Sequence, residues 1–230
     1  MSDIKSLIKK AKPQAPSKFI VMGDPMTGKT TLAAKAPRPL FISFDGNAAK
    51  AGLDAIDVEN LQQVREAVAF FEETDEYDTL VIDTIEGLAD LFERSIIDSY
   101  NQENSTVITA LTDVGYGKLT GIFNKRIANF SEALWAMPKN VIVLTYTKRR
   151  IDDLDGSIKL DSELKGIRHF TKFADAMILT SYDGERYRAN VVSKRTVVAG
   201  KVDLGNISTF LKAAGWDLAV KKTKVGSTKK

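Results

Sequence analysis

Residues 23–30, Gly-Asp-Pro-Met-Thr-Gly-Lys-Thr, come directly after a short apolar run. Glycines allow backbone N–H groups to turn toward one point because no Cβ obstructs them, and such a concave arrangement of amides binds anions. The spacing matches G-x-x-x-x-G-K-[ST], in which the lysine reaches the β- and γ-phosphates of a nucleotide and the last hydroxyl binds Mg²⁺. We therefore predict that this phosphate loop binds a nucleoside triphosphate through Gly23, Asp24, Pro25, Met26, Thr27, Gly28, Lys29, Thr30 and Thr31.

An acidic residue closes a second apolar run, Thr-Leu-Val-Ile-Asp at residues 79–83. A buried strand of this kind places its last side chain at the carboxyl edge of a parallel sheet, where ligands bind in open α/β folds. Asp83 would hold Mg²⁺ there through water, as the second acidic element of phosphate-loop enzymes does. We predict Thr30 and Asp83 as the metal-binding residues; the alternative is that Asp83 and Thr84 cap the following helix.

Hydrolysis of a triphosphate needs a group that orients or deprotonates the attacking water. Position 84 is threonine, so the Asp-Glu pair of AAA+ enzymes is absent after Asp83. Two other acids compete for the role. Asp45 follows the apolar run at residues 40–44, and Glu86 lies three residues after Asp83, where a helix-start carboxylate also has a structural use.

The apolar runs alternate with helical patterns. The runs lie at residues 19–22, 40–44, 79–82, 141–146 and 176–181, and helices are predicted at about 29–36, 60–73, 86–100, 118–137 and 207–214. Nearly continuous apolar strands separated by helices indicate an α/β fold with a mainly parallel central sheet and helices on both faces. After Ile178, alternation around Asp183-Gly184 predicts a hairpin, so we expect an antiparallel extension of that sheet.

The charges are distributed unevenly along the 230 residues, whose formal net charge is +3. Residues 1–18 carry +4 and residues 206–230 carry +5, which leaves −6 for the middle. We predict three parts: a flexible basic arm at 1–17, a core at 18–215 and a Lys-rich tail at 216–230. Basic ends on an acidic core either bind nucleic acid or only keep the chain soluble.

Composition excludes several kinds of protein. The chain has no cysteine and a single histidine, His169, so disulfides, thiolate zinc sites and histidine-based metal sites are not expected. No apolar run approaches the roughly 18 residues of a membrane helix. The first residues contain no apolar signal core. We therefore expect a cytoplasmic protein without a membrane partner.

The order of these elements resembles that of RecA-core P-loop ATPases. The phosphate loop is followed by the strand that leads to Asp45, then by the strand that ends in Asp83, then by VIVLTYTK, which ends in polar residues. The chain is also short and lacks large flanking domains. It resembles in particular the phage-encoded RecA-core proteins of the Sak group, which act as single-strand annealing proteins, over roughly residues 18–215.

The resemblance implies ATP and Mg²⁺ as cofactors and roles for residues at matching positions. Asp45 would activate water, and Thr145 would sense the γ-phosphate at the end of the fourth strand. Lys194 or Arg195, after the fifth strand, would act on the nucleotide of a neighbouring subunit. With the alternative base included, the predicted catalytic residues are Lys29, Asp45, Glu86, Thr145, Lys194 and Arg195.

Three features depart from that family pattern. Asp45 is one methylene shorter than the usual glutamate, which implies slow hydrolysis or Glu86 as the base. Thr145-Tyr146 replaces the amide or histidine often present after the sensor strand. Residues 194 and 195 are adjacent, whereas relatives commonly space the two cations one residue apart, and such a pair is otherwise simply solvated.

The resemblance also implies two loops that bind single-stranded DNA, at about 101–117 and 148–166. Basic side chains contact phosphates in a salt-dependent way, and aromatic side chains stack on bases. Tyr116 has the alternative role of a packing residue near a helix start, and the acids after the basic triplet argue against a uniformly basic groove. The predicted DNA-binding residues are Lys148, Arg149, Arg150 and Tyr116.

The leading functional hypothesis is an oligomeric ATPase, ring or filament, that binds single-stranded DNA and promotes annealing and recombination. A single-strand DNA-binding protein or a replication protein is a further expected partner. One alternative is an ATPase that acts on a protein partner, such as a helicase loader or regulator. The other is a small-molecule kinase, against which the absence of an arginine-rich lid argues.

Overall fold

A computed structural model describes residues 17–151, 158–162, 167–194 and 217–218. Almost all of the predicted arm and tail, the predicted helix at 207–214 and Arg195 lie outside these ranges. The strands are β1 Lys18–Met22, β2 Pro39–Ser43, β3 Ala55–Asp57, β4 Thr79–Asp83, β5 Asn140–Thr145, β6 Thr147–Ile151, β7 Ile158–Ser162, β8 Ala176–Tyr182, β9 Tyr187–Lys194 and β10 Asp217–Leu218. The helices are α1 Lys29–Ala33, α2 Asn47–Lys50, α3 Leu61–Glu73, α4 Ile85–Asn104, α5 Lys118–Ala136 and α6 Ile167–Thr171.

The main sheet has the strand order β10-β9-β8-β1-β5-β4-β2-β3. Within the described ranges, β8 and β9 form its antiparallel pair and every other neighbouring pair is parallel. The expected fold, a mainly parallel α/β sheet with an antiparallel hairpin extension, is confirmed. Because β1 lies between β5 and β8, the phosphate loop leaves the sheet from its interior and has a neighbouring strand on each side.

Two apolar clusters cover the two faces of this sheet. Successive side chains of a strand point to opposite faces. Ile20 therefore packs in the cluster that includes residues of α3, α4 and α5, whereas Val21 packs with Leu32 and Ala33 of α1. Both β1 residues are fully buried, and burying each such side chain contributes about 1.5–3 kcal/mol to the free energy of unfolding. The strands thus read as continuous apolar runs because both faces are covered.

A buried lysine fastens the amino end of the central strands. The ammonium of Lys18 donates to the backbone oxygens of Met137 and Lys139, at 2.8 and 2.6 Å, and so ties β1 to the segment between α5 and β5. The Lys18 amide donates to Asp175 just before β8. Burial lowers the pKa of Lys18 to about 8, although the nearby carboxylate of Asp175 opposes the shift.

Several element boundaries differ from the sequence prediction. Helix α1 ends at Ala33 rather than residue 36, because the amides of Lys35 and Ala36 bond three residues back and tighten the chain. Helix α4 extends to Asn104, and short 3₁₀ turns occupy residues 111–113 and 115–117, so the first predicted loop is shorter.

The second predicted loop, at 148–166, is wrong in part. Strands β6 and β7 pair antiparallel there as a separate two-stranded sheet. The basic residues of β6 gave no strand pattern in the sequence, since this pairing depends on a partner that follows several residues later. Strand β3, with three residues, and the one-turn helix α2 were also too short to be predicted. In the described part of the chain, every helix is too short or too polar to span a bilayer.

Candidate nucleotide-binding site

The phosphate loop leaves β1 and reverses direction through two left-handed residues. Met26 has φ 62° and Gly28 has φ 85°, a conformation that glycine adopts without strain. Gly23 is needed for a different reason, since a Cβ there would lie 2.3 Å from Thr180 Oγ1 and 2.8 Å from Thr180 O. Thr27 Oγ1 also lies 2.8 Å from Thr180 Oγ1. The loop is therefore packed directly against the carboxyl end of β8.

The ammonium of Lys29 folds back onto this loop. It donates to the backbone oxygens of Gly23 and Asp24, both at 2.9 Å, and stands 4.4 Å from the centre of the Tyr146 ring. Burial lowers the pKa of Lys29, and the nearby carboxylates of Asp83, Glu86 and Asp24 offset part of that shift. A buried cation held by neutral carbonyls and a ring suits the phosphate groups of a nucleotide.

The predicted metal-binding residues lie in contact. Thr30 Oγ1 donates to Asp83 Oδ2 at 2.9 Å. Burial raises the pKa of Asp83; the bond from Thr30 and the charge of Lys29 oppose this shift, and Asp45 and Glu86 add to it. A hydroxyl and a carboxylate are oxygen ligands of the kind that Mg²⁺ prefers. The pair fits a Mg²⁺–nucleotide complex, and the capping alternative gains no support, since Thr84 makes no side-chain cap bond to α4.

Glu86 reaches from the first turn of α4 to the end of β5. Its Oε1 accepts hydrogen bonds from Thr145 Oγ1 at 2.6 Å and from the amide of Tyr146 at 3.0 Å. Its Oε2 is buried and has no hydrogen-bond partner among the residues that the structure describes. One oxygen of this carboxylate is held by two donors, and the other has none among the described residues. The second oxygen, near Lys29 and Asp83, is placed to accept a hydrogen bond or a proton from a water molecule.

Asp45 lies at the same edge of the sheet, but its surroundings differ from those of Glu86. Its side chain is exposed, and its two oxygens accept from the amide and the Nδ2 of Asn47, at 2.9 and 2.6 Å. Ser43 Oγ adds a longer contact of 3.4 Å. These bonds close the turn at Gly46, which has φ 70°, and lead the chain into α2. The carboxylate therefore has a local structural use.

The remaining predicted residues are placed as follows. Pro25, Met26 and Thr31 are exposed around the phosphate loop. Tyr116 is fully exposed, so its alternative role as a packing residue within this chain is wrong. Lys148, Arg149 and Arg150 lie on β6, and Lys194 lies on β9 opposite Ala176, at the sheet edge away from the phosphate loop. The site thus brings together Lys29, Thr30, Asp83, Glu86 and Thr145 but not Lys194.

Sequence reasoning missed four residues at this edge. Thr180 supports the phosphate loop, and Thr147, the first residue of β6, donates from its hydroxyl to the carboxylate of Asp24. The Tyr146 ring covers Lys29. Gly87 allows α4 to approach β2, because a Cβ there would lie 2.5 Å from the Cβ of Phe44. In the sequence, only the position of these residues could have indicated them, since each lies within two residues of a predicted strand end or site residue.

Comparison with known proteins places this site in a family. Residues 15–201 match the model of an AAA domain, AAA_24. The chain belongs to this AAA-domain family. The match contains the phosphate loop, Asp83, Glu86 and Thr145, and together with the mainly parallel sheet it supports the expected class of RecA-core P-loop ATPase. Position 84, next to Asp83, is threonine, and the nearest following acid is Glu86.

Two further comparisons concern solved structures and curated proteins. A KaiC-like protein, PH0186, from the hyperthermophilic archaeon Pyrococcus horikoshii OT3 is similar at 13% identity and a TM-score of 0.46. The similarity covers 81% of this chain and 83% of that chain. No curated protein matches the chain.

The contact between Gly87 and Phe44 generates a stability prediction. In Gly87→Ala the new methyl group must displace Phe44, so we expect the free energy of unfolding to fall by about 1–3 kcal/mol. The matched control is Gly121→Ala in α5, where a Cβ would meet no atom within 4 Å. That control should stabilise the helix by about 0.5–1 kcal/mol. Urea unfolding of both variants measures the difference, and equal midpoints would contradict the packing described.

Proposed function

We propose that this AAA domain binds ATP with Mg²⁺ and hydrolyses it. The observation that carries the proposal is the meeting of the Lys29 ammonium, the Thr30–Asp83 pair and the Glu86 carboxylate at one edge of the sheet. Bound Mg²⁺ would neutralise phosphate charge and orient the γ-phosphoryl group. Lys29 exchanges two neutral carbonyl acceptors for phosphate oxygens, which are stronger partners because they are charged.

In this proposal Glu86 is the base and Thr145 is a positioning residue. The two hydrogen bonds at Oε1 hold the carboxylate, and Oε2 accepts the proton of the attacking water. Asp45 instead keeps both oxygens on Asn47 and maintains the turn into α2. The geometry favours Glu86 over the assignment that family resemblance alone suggests.

Two isosteric variants test this assignment. We expect Glu86→Gln to lower kcat by about 10²-fold or more while ATP binding survives, because the amide accepts no proton. Asp45→Asn is the matched carboxylate-to-amide control at the same sheet edge, and we expect a much smaller effect on kcat. Turnover under saturating ATP and binding by calorimetry are the measurements. A large loss in Asp45→Asn with normal turnover in Glu86→Gln would reverse the two roles.

We further propose that single-stranded DNA is the ligand on which this ATPase acts, as a homo-oligomer that promotes annealing. The support is the connection between the site and β6, which carries Lys148, Arg149 and Arg150. Thr147 bonds to Asp24 of the phosphate loop, and Tyr146, one residue earlier, covers Lys29. A change at the loop on nucleotide binding would reach the basic strand through these two residues.

The exposed Tyr116 adds a second point of contact in this proposal. An aromatic side chain without cover stacks on any base, which suits binding that does not depend on sequence. In an oligomer, Lys194 or Arg195 would approach the nucleotide of a neighbouring subunit, since the edge that carries Lys194 is remote from the phosphate loop of its own chain.

ATP hydrolysis with and without single-stranded DNA tests the proposed ligand. We expect DNA to stimulate turnover by the full-length protein, and we expect a salt dependence because phosphate contacts displace counterions. Lys29→Ala is the blank, since it removes the cation that holds the phosphates. A rate of ATP hydrolysis that does not change when DNA is added would instead favour a protein partner or a small-molecule substrate.

The link through Thr147 can be broken separately. Thr147→Val keeps the shape of the side chain but removes the hydroxyl that donates to Asp24. Because coupling between two sites is typically worth 1–3 kcal/mol, we expect the ratio of DNA-stimulated to basal turnover to fall by about fivefold or more. An unchanged ratio would show that β6 does not transmit the state of the phosphate loop.

A further inference from the structure

Two tyrosines form an exposed aromatic pair where β8 turns into β9. Tyr182 and Tyr187 are cross-strand partners, their ring centres lie 4.7 Å apart, and their planes are inclined by 35°. Each is 49% exposed, although aromatic side chains of this size gain the most from burial. The pair therefore presents exposed aromatic surface that lies outside the group of Lys29, Thr30, Asp83 and Glu86.

The turn that carries the pair is held by several bonds. Asp183 Oδ1 accepts from the amides of Glu185 and Arg186, at 3.1 and 2.8 Å, and Asp183 Oδ2 lies 2.6 Å from Arg188 Nη2. The Tyr182 hydroxyl donates to the backbone oxygen of Gly184 at 2.8 Å. The aromatic surface is therefore presented in a fixed orientation, which lowers the entropy cost of binding a flat ligand.

The pair lies next to the phosphate loop. Thr180 precedes Tyr182 by two residues, so both side chains point to the same face of β8, about 7 Å apart along the strand. The hydroxyl of Thr180 touches Thr27 of the loop, and Ile178, two residues earlier, packs in the same cluster as Leu32 of α1. Along this face α1 covers the first positions and the phosphate loop covers the next, and the half-exposed tyrosines follow.

We propose that Tyr182 and Tyr187 form the stacking surface for the base of the nucleotide whose phosphates the loop binds. The inference rests on the proposed binding of ATP and extends it to the base. Aromatic side chains stack equally on the base of a nucleotide and on the bases of DNA. We assign the surface to the nucleotide because it follows Thr180, which contacts the phosphate loop, on the same face of β8. Stacking depends on the π-face that every base has, so the site discriminates weakly between ATP and GTP.

The test compares a nucleotide with a ligand that has no base. ATP, GTP and inorganic tripolyphosphate, each with Mg²⁺, are titrated into the full-length protein and into Tyr182→Ala. We expect the affinity for ATP and GTP to fall by about tenfold or more, and the affinity for tripolyphosphate to stay unchanged. Tyr182→Phe should retain most of the nucleotide affinity. The control variant is Val192→Ala, which truncates another residue of the same hairpin. Val192 is 51% exposed, about as much as Tyr182, and its truncation should leave the nucleotide affinity unchanged.

Each contrary outcome has a separate meaning. Unchanged ATP affinity in Tyr182→Ala, or an equal loss for tripolyphosphate, overturns the stacking surface. A loss of oligo-dT binding without a loss of ATP binding also overturns it and assigns the tyrosines to bases of single-stranded DNA. If the unmodified protein binds neither ATP nor tripolyphosphate, the proposed nucleotide function itself fails.

Discussion

The buried ammonium of Lys29 stands among several carboxylates at the carboxyl edge of the sheet. Asp83, Glu86 and Asp24 all act on it, and each raises its pKa against the effect of burial. Without that cation, carboxylates from β4, α4 and the phosphate loop would repel one another in a partly desolvated space. One ammonium does not balance three carboxylates, so the edge keeps an excess of negative charge that suits a divalent cation.

The same edge links elements that are far apart in the chain. Strand β1 supplies the loop, β4 supplies Asp83, and β5 ends at Thr145, whose hydroxyl holds Glu86 of α4. Beyond β5 the chain continues at once through Tyr146 and Thr147 into β6. The phosphate loop and the two-stranded sheet are thus joined by the contacts of two consecutive residues, Tyr146 and Thr147. On the other side, β8 touches the loop through Thr180 and continues into the hairpin with the tyrosine pair.

The position of Glu86 shows how a carboxylate can reach this edge of the sheet without standing next to Asp83. A residue next to Asp83 would project directly from the strand end. Glu86 projects instead from the first turn of α4, and the close packing of Gly87 against Phe44 lets this turn approach β2. The carboxylate then reaches the end of β5, where two donors orient it. The helix, rather than the end of β4, therefore positions this carboxylate.

Much of the fold was readable from the chain because its signals are local. The phosphate loop, the strand that ends in Asp83 and helices α3, α4 and α5 each have a pattern contained within a few turns or one strand. The mainly parallel sheet followed from the alternation of these elements. Boundaries were less accurate, as at α1 and α4, because the last turn of a helix depends on what packs beside it.

The amino-acid sequence by itself determined that residues 23–30 form a loop suited to phosphate, that Asp83 ends a buried strand, and that helices separate parallel strands. Only the tertiary structure decided that Glu86 rather than Asp45 has a buried oxygen without a partner among the described residues, that Thr180 and Thr147 contact the loop, and that β6 pairs with β7. It also decided that Tyr182 and Tyr187 lie beyond Thr180, which contacts the loop. The physical reason is that most of these contacts join residues tens to more than a hundred positions apart, and that no local pattern of residue types encodes which strands become neighbours.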